Sequence, residues 1–335
     1  MGEIRIKKKD GPAVYHVTSR VIQKRRLLAD GQREVWVGAL HRAAEFGGVE
    51  VITYCVLETH FHILVRIDPA ARNCDDATLV RRYRALYGES RAQWSGLNAD
   101  ELAQTLERGE PEAAEELRER LRRRMGDISE FMRTLRQRYT RWFNRAHETA
   151  GTLWAERFGS VLVQDTPWLV GLIAAYIDLN SVRAGLANLP EDYRWCGYTE
   201  ALAGHEALCS ALTRCFPRAK DAAEALARYR LLMLGKGAAA KGDGSGARID
   251  PQALLEALKN GGELQPHELL HLRVRYFSEG RALGSRDWMD SGEGARILGQ
   301  LKRPPPHRPV EVMDNVDLAV ARTRTRYQAI EDPRT

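Results

Sequence analysis

The sequence has few cysteines and no long hydrophobic run, and these two absences exclude several classes of protein. The five cysteines among 335 residues are scattered and include no Cys-x-x-Cys pair. This argues against a disulfide framework and against a zinc knuckle. The longest apolar stretch, over 168–177, is far too short to cross a bilayer, and no apolar signal segment follows the lysines at 7–9. We therefore expect a cytoplasmic protein with no membrane partner.

Arginine is abundant, by contrast. The formal net charge is +6, the isoelectric point is near 9.1, and arginine supplies most of the positive charge. A guanidinium group is suited to bidentate contacts with phosphate, so nucleic acid is the first partner to consider. Many basic proteins bind no nucleic acid, however, and the charge leaves both alternatives open. A hydrophobic content of 44% is typical of a globular protein, and 335 residues suffice for two domains.

A His-x-His pair on a predicted strand is the first candidate site. His60 and His62 lie in the run 59–65, which follows a second β-branched run over 49–56. Side chains two apart on a strand point to the same face, with α-carbons roughly 6–7 Å apart. Two imidazoles at that separation can converge on one metal ion. The alternative is a half-exposed strand that happens to contain two histidines.

The elements around this pair predict the class of fold. A strand over 14–21 precedes a helix over about 31–46, for which Asp30 is the expected N-cap. The strand over 49–56 and the His-x-His strand follow. The order strand, helix, strand, strand predicts an α+β fold in which helices pack on an antiparallel sheet.

A second candidate site lies on a later helix. Thr166 is the expected cap of a helix that starts at Pro167 and runs to about Asn180. Tyr176 and Asn180 are four residues apart, so they share one helical face. Near a histidine pair, this arrangement suggests a nucleophile beside a metal ligand. The alternative is a core tyrosine whose hydroxyl finds a partner.

The region between these two sites is predicted to be helical and rich in charge, over about 75–148. Its last helix, over 131–145, interleaves arginines with aromatic residues. Such a helix can dock on the sheet and present arginines to phosphates, although its aromatic residues more often belong to a core. Tyr139 on this helix is a rival nucleophile. It has Arg136 and Phe143 as helical neighbours, and neither is a metal ligand.

Several segments match one known family in order and spacing. They are 15–20 (Tyr-His-Val-Thr-Ser-Arg), 60–65 (His-Phe-His-Ile-Leu-Val), 137–139 with 142–144, 151–154 with 157–158, 176–186, and Pro190, Tyr193 and Trp195. Through them the chain resembles the HUH single-tyrosine nucleases and, among these, the REP-associated and insertion-sequence-200-like tyrosine transposases. The resemblance covers about residues 12–200. It implies an HUH-type antiparallel sheet with helices packed on it.

The resemblance also implies a chemistry. Tyr176 would attack a phosphodiester of single-stranded DNA, which leaves a 5′-phosphotyrosine and a free 3′-hydroxyl, and reversal with a new end gives strand transfer. A divalent metal ion held by His60, His62 and Asn180 would polarise the scissile phosphate. Two imidazoles alone favour zinc or another transition metal. The resemblance implies Mg2+ or Mn2+, in a shell that phosphate oxygens and water complete.

The sequence therefore predicts a DNA transposase or single-strand DNA nuclease-transferase of the HUH type. Its predicted partner is single-stranded or hairpin DNA, with hairpin-forming repeats as substrate, and the choice between monomer and dimer stays open. The arginines predicted to bind DNA are Arg20, Arg138, Arg141, Arg157 and Arg183.

Two departures from the family's pattern keep a second hypothesis open. Ser181 stands where the family usually has proline, and Leu57-Glu58-Thr59 replaces the commoner Met-Pro-Asn before the histidines. Neither departure removes a reacting group. The alternative is a catalytically degenerate protein that binds or regulates DNA hairpins.

The predicted domain organisation follows these segments. A nuclease domain over 12–204 would contain a helical insertion at about 75–130. It would be followed by a helical connector over 205–234, a flexible linker over 235–248 and a small helical domain over 249–303. A poorly ordered tail over 304–335 is expected after the three prolines at 304–306.

Overall fold

The β-branched and aromatic runs of the sequence form the strands of one mixed sheet. The structure is a computed structural model, which describes residues 5–234, 273–274, 276–290, 292–301, 304, 306–309, 318–321 and 330–331. The described strands are β1 (Ala13–Arg20), β2 (Val49–Val56), β3 (His60–Ile67), β4 (Gly159–Val163), β5 (Arg273–Val274), β6 (Ala282–Gly284), β7 (His307–Pro309), β8 (Ala319–Ala321) and β9 (Ile330–Glu331). Seven of them form the sheet in the order β2-β3-β1-β4-β6-β8-β7, and β5 pairs with β9.

The helices begin and end at capping and breaking residues. The described α-helices are α1 (Asp30–Gly47), α2 (Asp76–Tyr87), α3 (Ala99–Arg108), α4 (Pro111–Arg122), α5 (Ile128–Ala146), α6 (Pro167–Asp178), α7 (Asn180–Arg183), α8 (Gly197–Leu202), α9 (Glu206–Thr213), α10 (Ala222–Leu234), α11 (Tyr276–Glu279), α12 (Arg286–Asp290) and α13 (Glu293–Gly299). The Asp127 carboxylate accepts hydrogen bonds from the first turn of α5, and Gly48 ends α1 at a φ of 60°. Thr166 caps α6, as predicted.

The predicted α+β class is confirmed. The chain forms β1, α1, β2 and β3 in that order, and β3 pairs antiparallel with both β1 and β2. Helices pack on this sheet. Within it, β3 and β1 lie side by side in a register that places His62 opposite Thr18 and His60 opposite Arg20.

Alternation along β3 gives the sheet two different faces. Phe61 is buried beneath α1, where its ring centroid lies 4.6 Å from that of Trp36. His62 points to the other face, towards Tyr176 of α6, with ring centroids 6.4 Å apart. One face of β3 therefore belongs to the core under α1, and the other face carries polar groups under α6.

The helical insertion builds a small core of its own. Helices α2, α3 and α4 bury a separate apolar cluster that includes Leu79, Tyr83, Leu102 and Leu121, and Phe46 of α1 joins it. Arg118 on α4 forms an ion pair with Asp76 of α2 at 2.8 Å. The insertion is thus a packed helical unit with a charged outer surface.

Part of the chain after residue 234 returns to the sheet. β6 pairs parallel with β4, and β8 then pairs with β6 and with β7. The segment expected to be a poorly ordered tail contains three short described strands, β7, β8 and β9, and the side chains of Ala319–Ala321 are buried where β8 pairs with β6. The predicted linker over 235–248 lies outside the described residues, as does about half of the predicted helical domain over 249–303, whose described part includes the strand β6.

Two predicted boundaries differ from the structure. Asp30 is the first residue of α1 instead of its N-cap, and its carboxylate pairs with Arg33. The helix that carries Tyr176 ends at Asp178, and Asn180 begins the short helix α7 after Leu179. Among the described residues, no helix is long and apolar enough to cross a membrane.

Candidate active site

The two sequence-predicted sites line one cleft. This cleft has a volume of about 250 Å³ and lies between the ends of β1 and β3 and the end of α6. All four residues predicted for the nucleophile and the metal line it, together with two of the predicted DNA-binding arginines: His60, His62, Tyr176, Asn180, Arg20 and Arg157. Thr18, Ser19, Glu156, Gly159 and Ser278 complete its lining. The fold therefore joins segments that are more than a hundred residues apart in the chain.

The histidine pair sits at the start of β3. The imidazole centroids of His60 and His62 lie 5.2 Å apart, with the rings nearly perpendicular. Thr59 Oγ1 lies 2.9 Å from Nδ1 of His60. Nδ1 of His62 lies 2.9 Å from Nε2 of a third histidine, His16. Both candidate ligands are thus oriented through Nδ1 by a neighbouring side chain, which is typical of metal-binding histidines.

His16 is a site residue that the sequence analysis did not single out. It is fully buried in β1, and its Nδ1 is within hydrogen-bonding distance of the carbonyl oxygen of Phe277. A carbonyl oxygen only accepts, so Nδ1 of His16 carries a proton. Burial lowers the pKa of His16 to about 4, so the ring is neutral and its Nε2 is an acceptor.

These hydrogen bonds assign the tautomer of His62. Since Nε2 of His16 accepts, Nδ1 of His62 donates, and Nε2 of His62 carries the lone pair of the ring. A metal ion requires that form of histidine. The sequence signal for His16 was its place in the segment 15–20, but its role depends on the pairing of β1 with β3.

Tyr176 is packed on three sides. Its side chain is 1% exposed, and its ring centroid lies 6.4 Å from that of His62 and 5.0 Å from that of Phe277. The guanidinium carbon of Arg183 lies 4.2 Å from the centroid of the tyrosine ring, and Arg183 also donates to the carbonyl of Tyr176. The predicted nucleophile therefore has a fixed ring position beside the histidines.

Asn180 is held by the end of the helix that precedes it. Its Nδ2 donates to the carbonyl oxygens of Tyr176 and Ile177, at 3.1 Å each. Both protons of the carboxamide are accounted for in this way, so Oδ1 is the atom that is able to ligate a metal ion. Although α6 ends at Asp178, Asn180 and Tyr176 remain neighbours.

The five predicted DNA-binding arginines lie in three places. Arg20 and Arg157 are exposed at the cleft, and Arg183 covers the ring of Tyr176. Arg141 lines a second cavity of about 590 Å³, whereas Arg138 lies over the ring of Tyr87 in α2, at 5.2 Å. The fold thus brings three of the five to the predicted nucleophile and metal ligands.

We call the second cavity the basic groove. It is lined by Arg5, Arg133, Arg136, Arg141, Trp154 and Phe158, among others. Arg136 donates to the carbonyl of Glu156 at 2.8 Å, and Glu156 also lines the cleft. The loop that contains Glu156 therefore separates the basic groove from the cleft.

The rival tyrosine lies in the core beneath α1. Tyr139 is 1% exposed, its hydroxyl donates to the carbonyl of Gln32 at 3.3 Å, and its ring packs against Trp142 and Trp154. Burial raises the pKa of its hydroxyl. It does not line the cleft that contains the histidines.

The donor set of the cleft fits a divalent metal ion. His60 and His62 offer imidazole nitrogens, and Asn180 offers a carboxamide oxygen. His16 orients His62, and a backbone carbonyl holds the amide of Asn180. Metal ligands usually have supporting contacts of this kind. With three protein donors, the coordination shell has room for water and phosphate oxygens, which Mg2+ and Mn2+ prefer.

Comparisons with known proteins give a distant similarity in structure. No family model matches the chain, and no curated protein matches it. The chain is similar to a solved structure of a REP-associated tyrosine transposase bound to a REP hairpin, with 15% sequence identity and a TM-score of 0.36. The similarity covers 61% of this chain and 87% of that one. The relationship is distant, and the residues of the cleft support the function proposed below instead.

Proposed function

We propose that the chain is a metal-dependent endonuclease and strand transferase that acts on single-stranded DNA. The observation that carries this proposal is that Tyr176, His60, His62 and Asn180 line the same cleft. A phenol beside a potential metal site, with arginines at the rim, suits attack on a phosphodiester. These groups supply the nucleophile and the metal ligands that phosphoryl transfer to tyrosine requires.

The reaction forms one bond and breaks another at phosphorus. The oxygen of Tyr176 attacks the scissile phosphate, the 3′-oxygen leaves with a proton, and the 5′-phosphate stays on the tyrosine. A free 3′-hydroxyl of another strand then reverses the step and releases the tyrosine. Because the phosphotyrosine keeps the energy of the phosphodiester, strand transfer needs no nucleotide cofactor.

His60, His62 and Asn180 are the residues that hold the metal ion in this proposal. When bound, Mg2+ or Mn2+ offsets the negative charge that develops on the phosphate. His16 keeps the lone pair of His62 on Nε2, and Arg183 places a positive charge next to the tyrosine. The protein's contribution is thus to orient ligands and nucleophile before the DNA arrives.

The arginines suggest how DNA lies on the surface. Arg20 and Arg157 at the rim of the cleft are positioned to contact the phosphates that flank the scissile bond. The basic groove lies across the loop that contains Glu156, and it adds arginine charge next to aromatic rings. We propose that single-stranded or hairpin DNA occupies both, with Arg141 in the groove.

The test is the formation of a covalent adduct. The full chain is incubated with labelled single-stranded hairpin DNA, with Mn2+ or Mg2+, and the products are separated under denaturing conditions. A DNA-protein adduct that needs the metal ion and disappears with chelator is expected. Absence of an adduct across a broad set of hairpin-forming repeats would count against the enzyme.

A second function is favoured by one observation. The side chain of Tyr176 is 1% exposed and packs against Phe277, so the nucleophile is covered in this structure. A protein that binds or regulates DNA hairpins without cutting them would tolerate such a cover. It would bind hairpins equally well after chelation and after Tyr176→Phe, and metal-dependent cleavage of the bound hairpin would rule it out.

A further inference from the structure

A second group of metal-ligating side chains lies away from the cleft. His41 on α1, Glu200 on α8 and His205 at the start of α9 place their ligand atoms within 4.8 Å of one another. Nε2 of His41 lies 3.0 Å from a carboxylate oxygen of Glu200, and Nε2 of His205 lies 4.0 Å from the other oxygen. The two imidazole rings are stacked, with centroids 4.8 Å apart.

These separations are close to those of a zinc site. Zinc bonds to histidine nitrogen and carboxylate oxygen are about 2.0–2.2 Å long, so two ligand atoms at a tetrahedral angle are roughly 3.3–3.5 Å apart. The observed distances of 3.0 Å and 4.0 Å lie on either side of that value. Small rotations of the side chains would therefore equalise them.

The surroundings of Glu200 support a ligand role. Burial acts to raise the pKa of its carboxyl group, but hydrogen bonds from His41 and Tyr54 outweigh burial and leave the pKa below its usual range. The Tyr54 hydroxyl donates at 2.6 Å to one carboxylate oxygen. The carboxylate is thus ionised and oriented, as ligating carboxylates usually are.

Solvent reaches this group of residues from outside the fold. The side chains of His41, Glu200 and His205 are 27%, 26% and 34% exposed. An ion can therefore arrive directly, and a water molecule can take the fourth position. Nδ1 of His205 accepts a long hydrogen bond, of 3.4 Å, from the backbone amide of Leu208. This hydrogen bond is lost if the ring proton moves to Nδ1, and Nε2 then carries the lone pair that a metal ion needs.

We propose that His41, Glu200 and His205 bind one Zn2+ ion that links α1 to the turn between α8 and α9. Two histidines and one carboxylate form a common zinc donor set. The ion would fasten α1 to the helices beside the edge strand β2, whose Tyr54 contacts both His41 and Glu200. Helix α1 packs on the sheet face opposite the cleft. This site is independent of the function proposed for the cleft. A bound ion would raise the stability of the fold and would leave Tyr176 and the metal ligands of the cleft unchanged.

The experiment counts zinc in a chain whose cleft histidines are removed. The full chain with His60→Ala and His62→Ala is stripped with chelator, dialysed against Zn2+ and assayed for metal and for its melting temperature. One zinc per chain and a zinc-dependent rise in the melting temperature are expected. His205→Asn, added to this background, keeps a side-chain cap for α9 but removes the ligand nitrogen. It should weaken binding by more than the ~10–100-fold that loss of a supporting contact costs.

Two further variants make the result decisive. Glu200→Gln keeps an acceptor for Tyr54 and should also lose zinc, whereas His147→Gln, at an exposed histidine beyond the end of α5, should keep it. Circular dichroism confirms that each variant is folded. No zinc in the cleft-deficient chain, or equal zinc binding with and without His205→Asn, would overturn the proposal. His41 and Glu200 would then form only a hydrogen-bonded pair.

Discussion

Nε2 of His16 lies 2.9 Å from Nδ1 of His62, across the pairing of β1 with β3. The buried ring of His16 is fixed in turn by the carbonyl oxygen of Phe277. This chain of two hydrogen bonds sets which nitrogen of His62 is able to bind a metal ion. A residue outside the predicted ligand set thereby orients one of the candidate ligands.

Replacing His16 should weaken metal binding, although the predicted ligands His60, His62 and Asn180 all remain. His16→Leu removes the acceptor for His62, and we expect the affinity for Mn2+ to fall by about 10–100-fold. His16→Gln, whose carboxamide both donates and accepts, should recover part of that loss. Titration of the full chain with Mn2+ measures both variants, and equal affinities for all three proteins would show that His16 only fills space.

Arginines at the cleft should govern the salt dependence of DNA binding. Arg20→Ala and Arg157→Ala should each weaken hairpin binding and reduce the slope of log K against log salt by about 1, because one phosphate contact is lost. Arg108→Ala is the matched control, since this exposed arginine lies at the end of α3 in the helical insertion. Unchanged slopes for both cleft variants would place the DNA elsewhere.

The same titration decides the role of Arg138. This arginine was predicted to bind DNA, and its guanidinium lies over Tyr87 of the helical insertion, outside both the cleft and the basic groove. Its assignment as a DNA contact stays a prediction. A reduced salt slope for Arg138→Ala would support it, and a wild-type slope would indicate a packing role.

The buried carboxyl of Asp178 should make stability depend on pH. Burial raises the pKa of Asp178 to about 7, although the Tyr229 and Thr53 hydroxyls donate to it at 2.5 Å and 2.7 Å. The unfolded carboxyl, with a pKa of about 3.9, ionises first as pH rises. The stabilising contribution of Asp178 is therefore complete below about pH 4 and is lost as pH rises to about 7.

Asp178→Asn should flatten this dependence. The difference in unfolding free energy between the two proteins should change by on the order of a few kcal/mol between pH 4.5 and pH 8. Urea unfolding at several pH values measures it. Parallel stability curves for the two proteins would mean that the folded carboxyl ionises as readily as the unfolded one.

Local patterns in the sequence were enough to predict the strands and the helix that carry the site. The run of β-branched residues before His60, the Thr166 cap and the Pro167 start predicted β2, β3 and α6 because these signals act within a few residues. The prediction that Tyr176 lies beside the histidine pair came from the family resemblance. Burial of Tyr139 under α1 agrees with its predicted place in a packed helix.

Contacts between distant segments could not be predicted in the same way. The role of His16 depends on the cross-strand register, and the position of Phe277 depends on a segment that returns after residue 234. The parallel pairing of β6 with β4 joins strands that are more than a hundred residues apart. Nothing in the sequence near Ala282–Gly284 indicates its partner, because a strand of three small or apolar residues fits many edges.

The measurement that tests the central claim most directly is the identity of the tyrosine joined to DNA. Wild-type protein, Tyr176→Phe and Tyr139→Phe are incubated with hairpin DNA and Mn2+, and the adduct is digested and mapped by mass spectrometry. We expect the nucleotide on Tyr176, no adduct from Tyr176→Phe with hairpin binding nearly intact, and an adduct of reduced yield from Tyr139→Phe. A nucleotide on Tyr139, or an undiminished adduct from Tyr176→Phe, would contradict the assignment of the cleft as the active site.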